Sequence, residues 1–211
     1  MIININKPSG WTSFDVVKKI RGIVNEKKVG HAGTLDPFAT GVLILGTGSD
    51  TKKLSNIASS NKTYVADLTL GIETDTLDCD GNIVSKNKTP ELSQKLVKDV
   101  LSKFKGVNKQ IPPMYSAKKV NGIRLYKLAR QNKTVERDPV DINILDIQLI
   151  KFKSSIITFK VKCSKGTYVR VLGADIAKKL GTVGHLSSLS RTSIGLYNID
   201  DSKSIEEISA L

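Results

Sequence analysis

The segment Gly30-His31-Ala32-Gly33-Thr34-Leu35-Asp36-Pro37-Phe38-Ala39-Thr40-Gly41-Val42-Leu43 holds the side chain best placed to do chemistry. A single carboxylate, Asp36, stands among three glycines and a proline. Glycine allows close backbone approach and unusual dihedrals, and Pro37 restricts Asp36 to extended conformations. A loop of this kind can hold one carboxylate rigidly at the mouth of a cleft. An Asp-Pro step also caps turns, so the loop by itself leaves catalysis and turn chemistry both open.

Other suggestive patterns fail on inspection. Gly46-Thr47-Gly48 begins like a dinucleotide fingerprint, but Thr51 stands where the third glycine belongs, and Thr47 stands where a phosphate-binding loop after Gly41 and Gly46 requires lysine. The run Asp75-Thr76-Leu77-Asp78-Cys79-Asp80-Gly81 resembles a calcium loop, yet Thr76 occupies the first ligand position and Asn87 the bidentate glutamate position. It reads as a solvated turn between strands. His31 and His185 have no neighbours at zinc spacing, and Cys79 and Cys163 cannot supply a site. The sequence therefore indicates no metal and no cofactor. Cys163, before Ser164-Lys165-Gly166, fits a buried or strand-end cysteine better than a reactive thiol.

The elements that must position Asp36 follow from periodicity. Ile2 to Ile5 alternates as a strand and ends at the turn Lys7-Pro8-Ser9-Gly10. Thr12 or Ser13 caps a helix whose apolar face is Phe14, Val17, Ile20 and Val24. Val42 to Gly46 is a buried strand, Asp50 to Ala58 a helix and Thr63 to Leu70 a strand. Thr89-Pro90 opens a helix carrying Leu92, Leu96, Val97, Val100, Leu101 and Phe104, and Ile123 to Arg130 forms a weaker one. Ile142 to Lys151 and Ser155 to Cys163 are strands joined by a turn at Lys153-Ser154. Tyr168 to Leu180 is a helix stopped by Gly181. Adjacent strands imply antiparallel pairing, and the irregular interleaving with helices predicts one mixed-sheet α/β or α+β domain.

Composition bounds the function class. The 211 residues carry 33 Lys+Arg against 20 Asp+Glu, a formal net charge of +13, which favours a polyanionic partner. The lysines are scattered in pairs such as Lys18-Lys19 and Lys27-Lys28, so folding must assemble any anion-binding surface. The longest apolar run, Val42 to Leu45, is far short of a membrane span, and the N-terminus lacks a signal peptide pattern. Two cysteines fit a reduced, cytoplasmic protein. The absence of a heptad pattern favours a monomer.

Five blocks in order give a resemblance. Lys7-Pro8-Ser9-Gly10-Trp11-Thr12-Ser13, the Asp36 loop, Lys62-Thr63-Tyr64-Val65-Ala66 with Gly71 to Gly81, Pro112-Pro113-Met114-Tyr115-Ser116-Ala117-Lys118-Lys119, and Cys163 to Arg170 with Gly181, His185, Leu189, Arg191 and Gly195 together resemble the TruB family of tRNA pseudouridine-55 synthases. The resemblance implies the pseudouridine synthase fold, a single mixed, mostly antiparallel sheet flanked by helices. It also implies a thumb-like insert at about 106–137, rich in Lys and Arg. The implied activity is an isomerase: the C1′–N1 bond of one uridine breaks, the base turns, and it is rejoined through C5 without a cofactor.

The family's catalytic aspartate falls on Asp36, and a carboxylate can serve as a covalent nucleophile. Attack at C1′ and at the uracil ring both remain open. Arg170 matches the arginine that pairs with this aspartate; apart from the motif it reads as a surface salt bridge. Tyr64 matches a tyrosine that stacks on the flipped uracil, Tyr168 and Leu189 match contacts to the extruded nucleotide, and all three otherwise suit a core. His31 matches the histidine that fills the vacated place in the RNA stack, where a flat polar ring offsets part of the cost of extrusion. The expected partner is the T-arm of tRNA, bound with salt-sensitive affinity, with no membrane or metal. Many family members continue into a PUA domain, and the sequence predicts a minimal catalytic domain over 1–211 without one. Ser190 replaces a frequently basic residue. A non-catalytic RNA-binding protein and the same chemistry on another RNA are the alternatives.

Overall fold

The computed structural model describes residues 1–120 and 122–210. In chain order its first half runs β1 (Ile2–Lys7), α1 (Ser13–Ile23), β2 (Val29–Ala32), β3 (Thr40–Thr47), α2 (Leu54–Ser59), β4 (Lys62–Leu70), β5 (Ile72–Thr74), β6 (Ile83–Lys86) and α3 (Gln94–Ser102). The second half runs β7 (Gly106–Gln110), β8 (Lys119–Val120), β9 (Ile123–Arg124), α4 (Leu125–Ala129), β10 (Val140–Lys153), β11 (Ile156–Cys163), α5 (Val169–Lys179), β12 (Gly184–Ile194), β13 (Tyr197–Asn198) and α6 (Ile205–Ser209). Contacts group these into two compact units, one of Met1–Val65 with the chain from Leu189 onward, the other of Ala66–Ser188. The sheet is mixed and mostly antiparallel, with flanking helices, so the α+β expectation holds.

The first unit is organised around β3, whose eight residues are buried but for Thr40. β1 and β2 pair with it antiparallel, at Ile5↔Leu43 and His31↔Leu45. The C-terminal half of β12 joins it in parallel at Arg191↔Gly41, and the start of β4 follows next in order. Ala32, Val42, Ile44, Leu54 and Ile194 close one core cluster. α1 starts at a capping box, with Thr12 as the cap and Asp15 reaching back to its backbone. It buries Ser13, Val16, Val17 and Ile20 and leaves Phe14 64% exposed, which corrects the face read from sequence. Ser13 turns inward to bond the backbone of Leu35, and at 100° per residue that places Phe14 on the flank. A 3-10 turn, Gly48–Lys53, replaces the first half of the helix expected over 50–58.

In the second unit the order is the end of β4, then β11, β10 and β7. β11 buries Ile157, Phe159, Val161 and Cys163 at alternate positions, as its pattern predicted. α3 begins at Gln94 rather than Pro90, because the Ser93 hydroxyl supplies the cap by accepting from the Leu96 N–H. Its buried residues are Val97, Val100 and Leu101, whereas Leu96 is exposed. α5 keeps the predicted bounds within one residue at each end, with Gly181 at φ +82° just past its cap. The segment 106–137 starts as the sheet strand β7, followed by the hairpin β8–β9 and the short α4. Among the described residues no helix is long and apolar enough to cross a membrane.

Gly41 shows how tightly the first unit is built. Its φ is +101°, and a Cβ there would lie 2.3 Å from the backbone oxygen of Arg191, an atom that cannot rotate away. Gly41→Ala is expected to lose at least about 2 kcal/mol. Gly10→Ala, at φ +79° with nothing within 4 Å of the added Cβ, is expected to lose only about 1 kcal/mol. Urea midpoints of the two variants test the ranking.

Candidate active site

The loop that carries Asp36 is clamped from several elements of its own unit. Lys7, the last residue of β1, is fully buried and its ammonium donates to the carbonyls of Pro8 at 2.8 Å, Trp11 at 2.6 Å and Pro37 at 3.2 Å. Gly10 N–H donates to Pro37 O at 2.8 Å, and Ser9 Oγ to Phe38 O at 3.2 Å. Ser13 Oγ accepts from Leu35 N–H at 2.9 Å and donates to Leu35 O at 3.2 Å. Within the loop, Ala39 N–H donates to the carbonyl of Asp36 itself at 3.1 Å. The Asp36 side chain is half-buried, between Leu35 and Phe38, both buried. Its backbone position is thus fixed on both sides by charge-assisted and neutral bonds, each contributing about 1–3 kcal/mol.

Arg191 braces the same loop from β12. It is 1% exposed, its Nε donates to Val42 O at 2.7 Å, and its Nη2 donates to Gly33 O at 2.9 Å. Gly33 and Val42 lie on either side of Asp36, so one planar guanidinium spans the loop. A Cβ on Gly33 would sit 3.4 Å from Arg191 Nη1, so the loop backbone lies directly on the guanidinium.

His31, Tyr64 and Leu189 belong to the same unit. His31 is on β2, a strand where the sequence indicated only loop. Burial, and then the nearby Arg191 charge, hold its pKa below the ordinary histidine value, which favours the neutral ring. Its Nδ1 is buried without a hydrogen-bond partner among the described residues. Tyr64 is 8% exposed on β4, whose Lys62 donates to the carbonyls of Ala58 and Ser60. Leu189 is buried two residues before Arg191 on the same strand face.

Tyr168 and Arg170 lie in the second unit. Tyr168 caps α5 and exchanges two bonds with the buried Gln110: its N–H donates to Oε1 at 2.8 Å and its carbonyl accepts from Nε2 at 3.1 Å. Arg170 is 3% exposed, not at the surface. It donates to Thr76 O at 2.6 Å and Tyr115 O at 2.8 Å, and pairs with Asp78 Oδ2 at 3.5 Å. Asp78 is buried within the turn between β5 and β6, whose Asp75, Cys79 and Asp80 are exposed as expected of a solvated turn. Thr76 Oγ1 and the Asp80 N–H donate to the other carboxylate oxygen of Asp78. His185 bonds Ile72 O through Nδ1 at 2.9 Å.

Sequence reasoning gave Lys7, Ser13, Asp78 and Arg191 places in motifs, and read Ser13 also as a candidate helix cap, but assigned them no role in the site, and it did not single out Gln110. Lys7 was detectable, since it shares the inward parity of Ile3 and Ile5. Arg191 shares parity with Leu189 in the same way.

A family model described as TruB family pseudouridylate synthase (N terminal domain) matches residues 21–169. The chain belongs to the TruB family. The tRNA pseudouridine synthase B of Hydrogenovibrio crunogenus is 47% identical over 98% of this chain and 68% of its own length. That of Francisella philomiragia is 46% identical over 100% of this chain and 70% of its own. The TruB-family chain also superposes on a chain in a crystal structure of a Cbf5–Nop10–Gar1 complex, with TM-score 0.79 and 27% identity, covering 99% of this chain and 53% of the other. Pseudouridylate synthesis is an isomerisation, so this TruB-family chain is an isomerase.

Two outcomes follow from this geometry. Arg191→Met strands the carbonyls of Gly33 and Val42 and is expected to cost about 3 kcal/mol, read from urea midpoints. His31 tests the electrostatics. Its native pKa lies below the unfolded value, so the unfolded chain binds a proton first as pH falls below about 6.5, and that part of the stability declines. Between pH 7.5 and 5.5, wild type should lose more stability than His31→Asn.

Proposed function

We propose that the chain converts uridine 55 in the T-arm of tRNA to pseudouridine, with Asp36 as nucleophile. The observation that supports this most directly is the clamped loop, which presents one carboxylate with its backbone immobilised by Lys7, Ser13 and Arg191. A catalytic group held in this way enters the reaction with little entropy left to lose. The curated relatives named tRNA pseudouridine synthase B supply the tRNA.

The proposed step balances without an oxidant or a cofactor. Asp36 attacks while C1′–N1 breaks, at C1′ or through addition to the ring. The uracil turns, C1′–C5 forms, the carboxylate departs, C5 loses its proton and N1 gains one. Tyr64 stacks on the flipped ring and lies ready for the C5 deprotonation, and Leu189 provides an apolar wall. His31, kept neutral, fills the place that the uridine leaves. Tyr168 and Arg170 complete the proposed substrate-binding set. Exposed lysines meet the phosphates, and the enzyme works as a monomer in the cytoplasm.

Tritium release from C5-labelled uridine in unmodified tRNA tests the proposal. Wild type should release label, and Asp36→Asn should fall by at least about 10³-fold, as expected when a covalent nucleophile is removed. Replacing uridine 55 should abolish release. Release that persists in Asp36→Asn would remove the nucleophile assignment, and release from another position would relocate the target.

A further inference from the structure

Phe14 is the exposed aromatic that the core does not account for. It is 64% exposed on α1, the helix whose buried face is Ser13, Val16, Val17 and Ile20. Lys18 and Arg21, at four and seven residues from Phe14, share its flank, and both are exposed. Neither forms an ion pair among the described residues. The rise of an α-helix puts them about 6 Å and about 10 Å from Phe14 along the axis.

The acidic groups nearby are already engaged. Asp15, three residues before Lys18, has its carboxylate accepting from the N–H and Oγ1 of Thr12, and Glu26 accepts from the Lys28 N–H. Exposed Lys19, Lys27 and Lys28 add to the positive field of this helix and the turn after it. Trp11, Asp15, Lys18, Lys19, Gly22 and Ile23 line a shallow groove along the same helix.

We propose that the outer flank of α1 is a second RNA-contact surface, on which an unpaired base stacks on Phe14 while Lys18 and Arg21 hold neighbouring phosphates. An aromatic platform flanked by cations is the arrangement that binds single-stranded nucleic acid, because every base has a π face and every linkage a charge. Charge complementarity selects RNA over a protein partner, as Lys18, Lys19 and Arg21 outnumber the one carboxylate beside them, Asp15, which Thr12 already engages. The base comes from outside the T-arm stem-loop. In the proposed function the reacting loop of that arm is engaged at Asp36, and Arg21 lies about 10 Å along α1 from Phe14, the end at which the Ser13–Leu35 bonds tie the helix to the Asp36 loop. This inference rests on the proposed tRNA substrate and adds a second site of contact with it.

The test is binding in an Asp36→Asn background, which keeps the substrate unreacted. Phe14→Ala/Lys18→Ala/Arg21→Ala is compared with Lys98→Ala/Lys151→Ala, which removes two exposed charges elsewhere. Full-length unmodified tRNA and the isolated T-arm stem-loop are the ligands. The triple variant is expected to raise Kd for full-length tRNA about tenfold, with Phe14→Ala alone contributing part of it. It should reduce the slope of log K against log salt by about 1.5 and leave the stem-loop Kd unchanged. The control pair should change neither ratio.

An unchanged Kd for full-length tRNA overturns the proposal. So does an equal loss on both ligands, which would assign the flank to the T-arm itself. A shift in sedimentation mass with unaltered RNA affinity also overturns it and makes the flank a protein interface. Wild-type turnover is measured separately, so failure of the enzymatic proposal shows as absent tritium release and is not confused with failure of this one.

Discussion

Two buried cations determine the shape of the candidate site. Lys7 and Arg191 are essentially inaccessible, and a charge without water must be surrounded by oriented acceptors or it will not stay charged. Here the acceptors include main-chain carbonyls: Pro8, Trp11 and Pro37 for Lys7, and Gly33 and Val42 for Arg191. The loop therefore has to point those oxygens inward. That requirement explains its glycines and its proline better than any local turn preference. Gly41 must lie on the Arg191 backbone, and Pro37 has no N–H to satisfy while its carbonyl takes two donors. The conformation of Asp36 is a consequence of how two positive charges are solvated by the chain.

What the sequence showed of this arrangement was uneven, for physical reasons. Strands with strict alternation, such as β11, were readable because each inward position is apolar. The same rule hid Lys7 and Arg191, since inward positions were sought only among hydrophobic residues. β2 escaped because Gly30 and His31 give it no alternation; it exists by pairing with the buried β3. α1 was placed correctly but rotated. Ser13 is a buried polar residue whose partner, Leu35, is 22 residues away, and no local pattern contains that bond.

The second unit repeats the theme with a different balance of charge. The acceptors around Arg170 include two carbonyls and one carboxylate, and that carboxylate in turn accepts from Thr76 and the Asp80 N–H. The acidic turn that failed as a calcium loop supplies both Asp78 and the Thr76 carbonyl. Of its three aspartates Asp78 is turned inward, while Asp75 and Asp80 face solvent. Buried arginine suits this work because its planar group holds its donors in a fixed fork, whereas the three donors of a lysine turn about one nitrogen.

The net charge therefore needs reinterpretation. The excess of +13 counts Lys7, Lys62, Arg170 and Arg191, all buried and bonded to the chain, alongside cations that face solvent. Only the latter can exchange counterions with a polyanion. Buried cations act on the site by another route: Arg191 fixes the loop and, with burial, keeps His31 neutral. In the proposed reaction a neutral ring can stack without drawing a phosphate toward the space that the base would leave. One composition thus serves two electrostatic functions, long-range attraction at the surface and short-range positioning inside, and only the fold separates them.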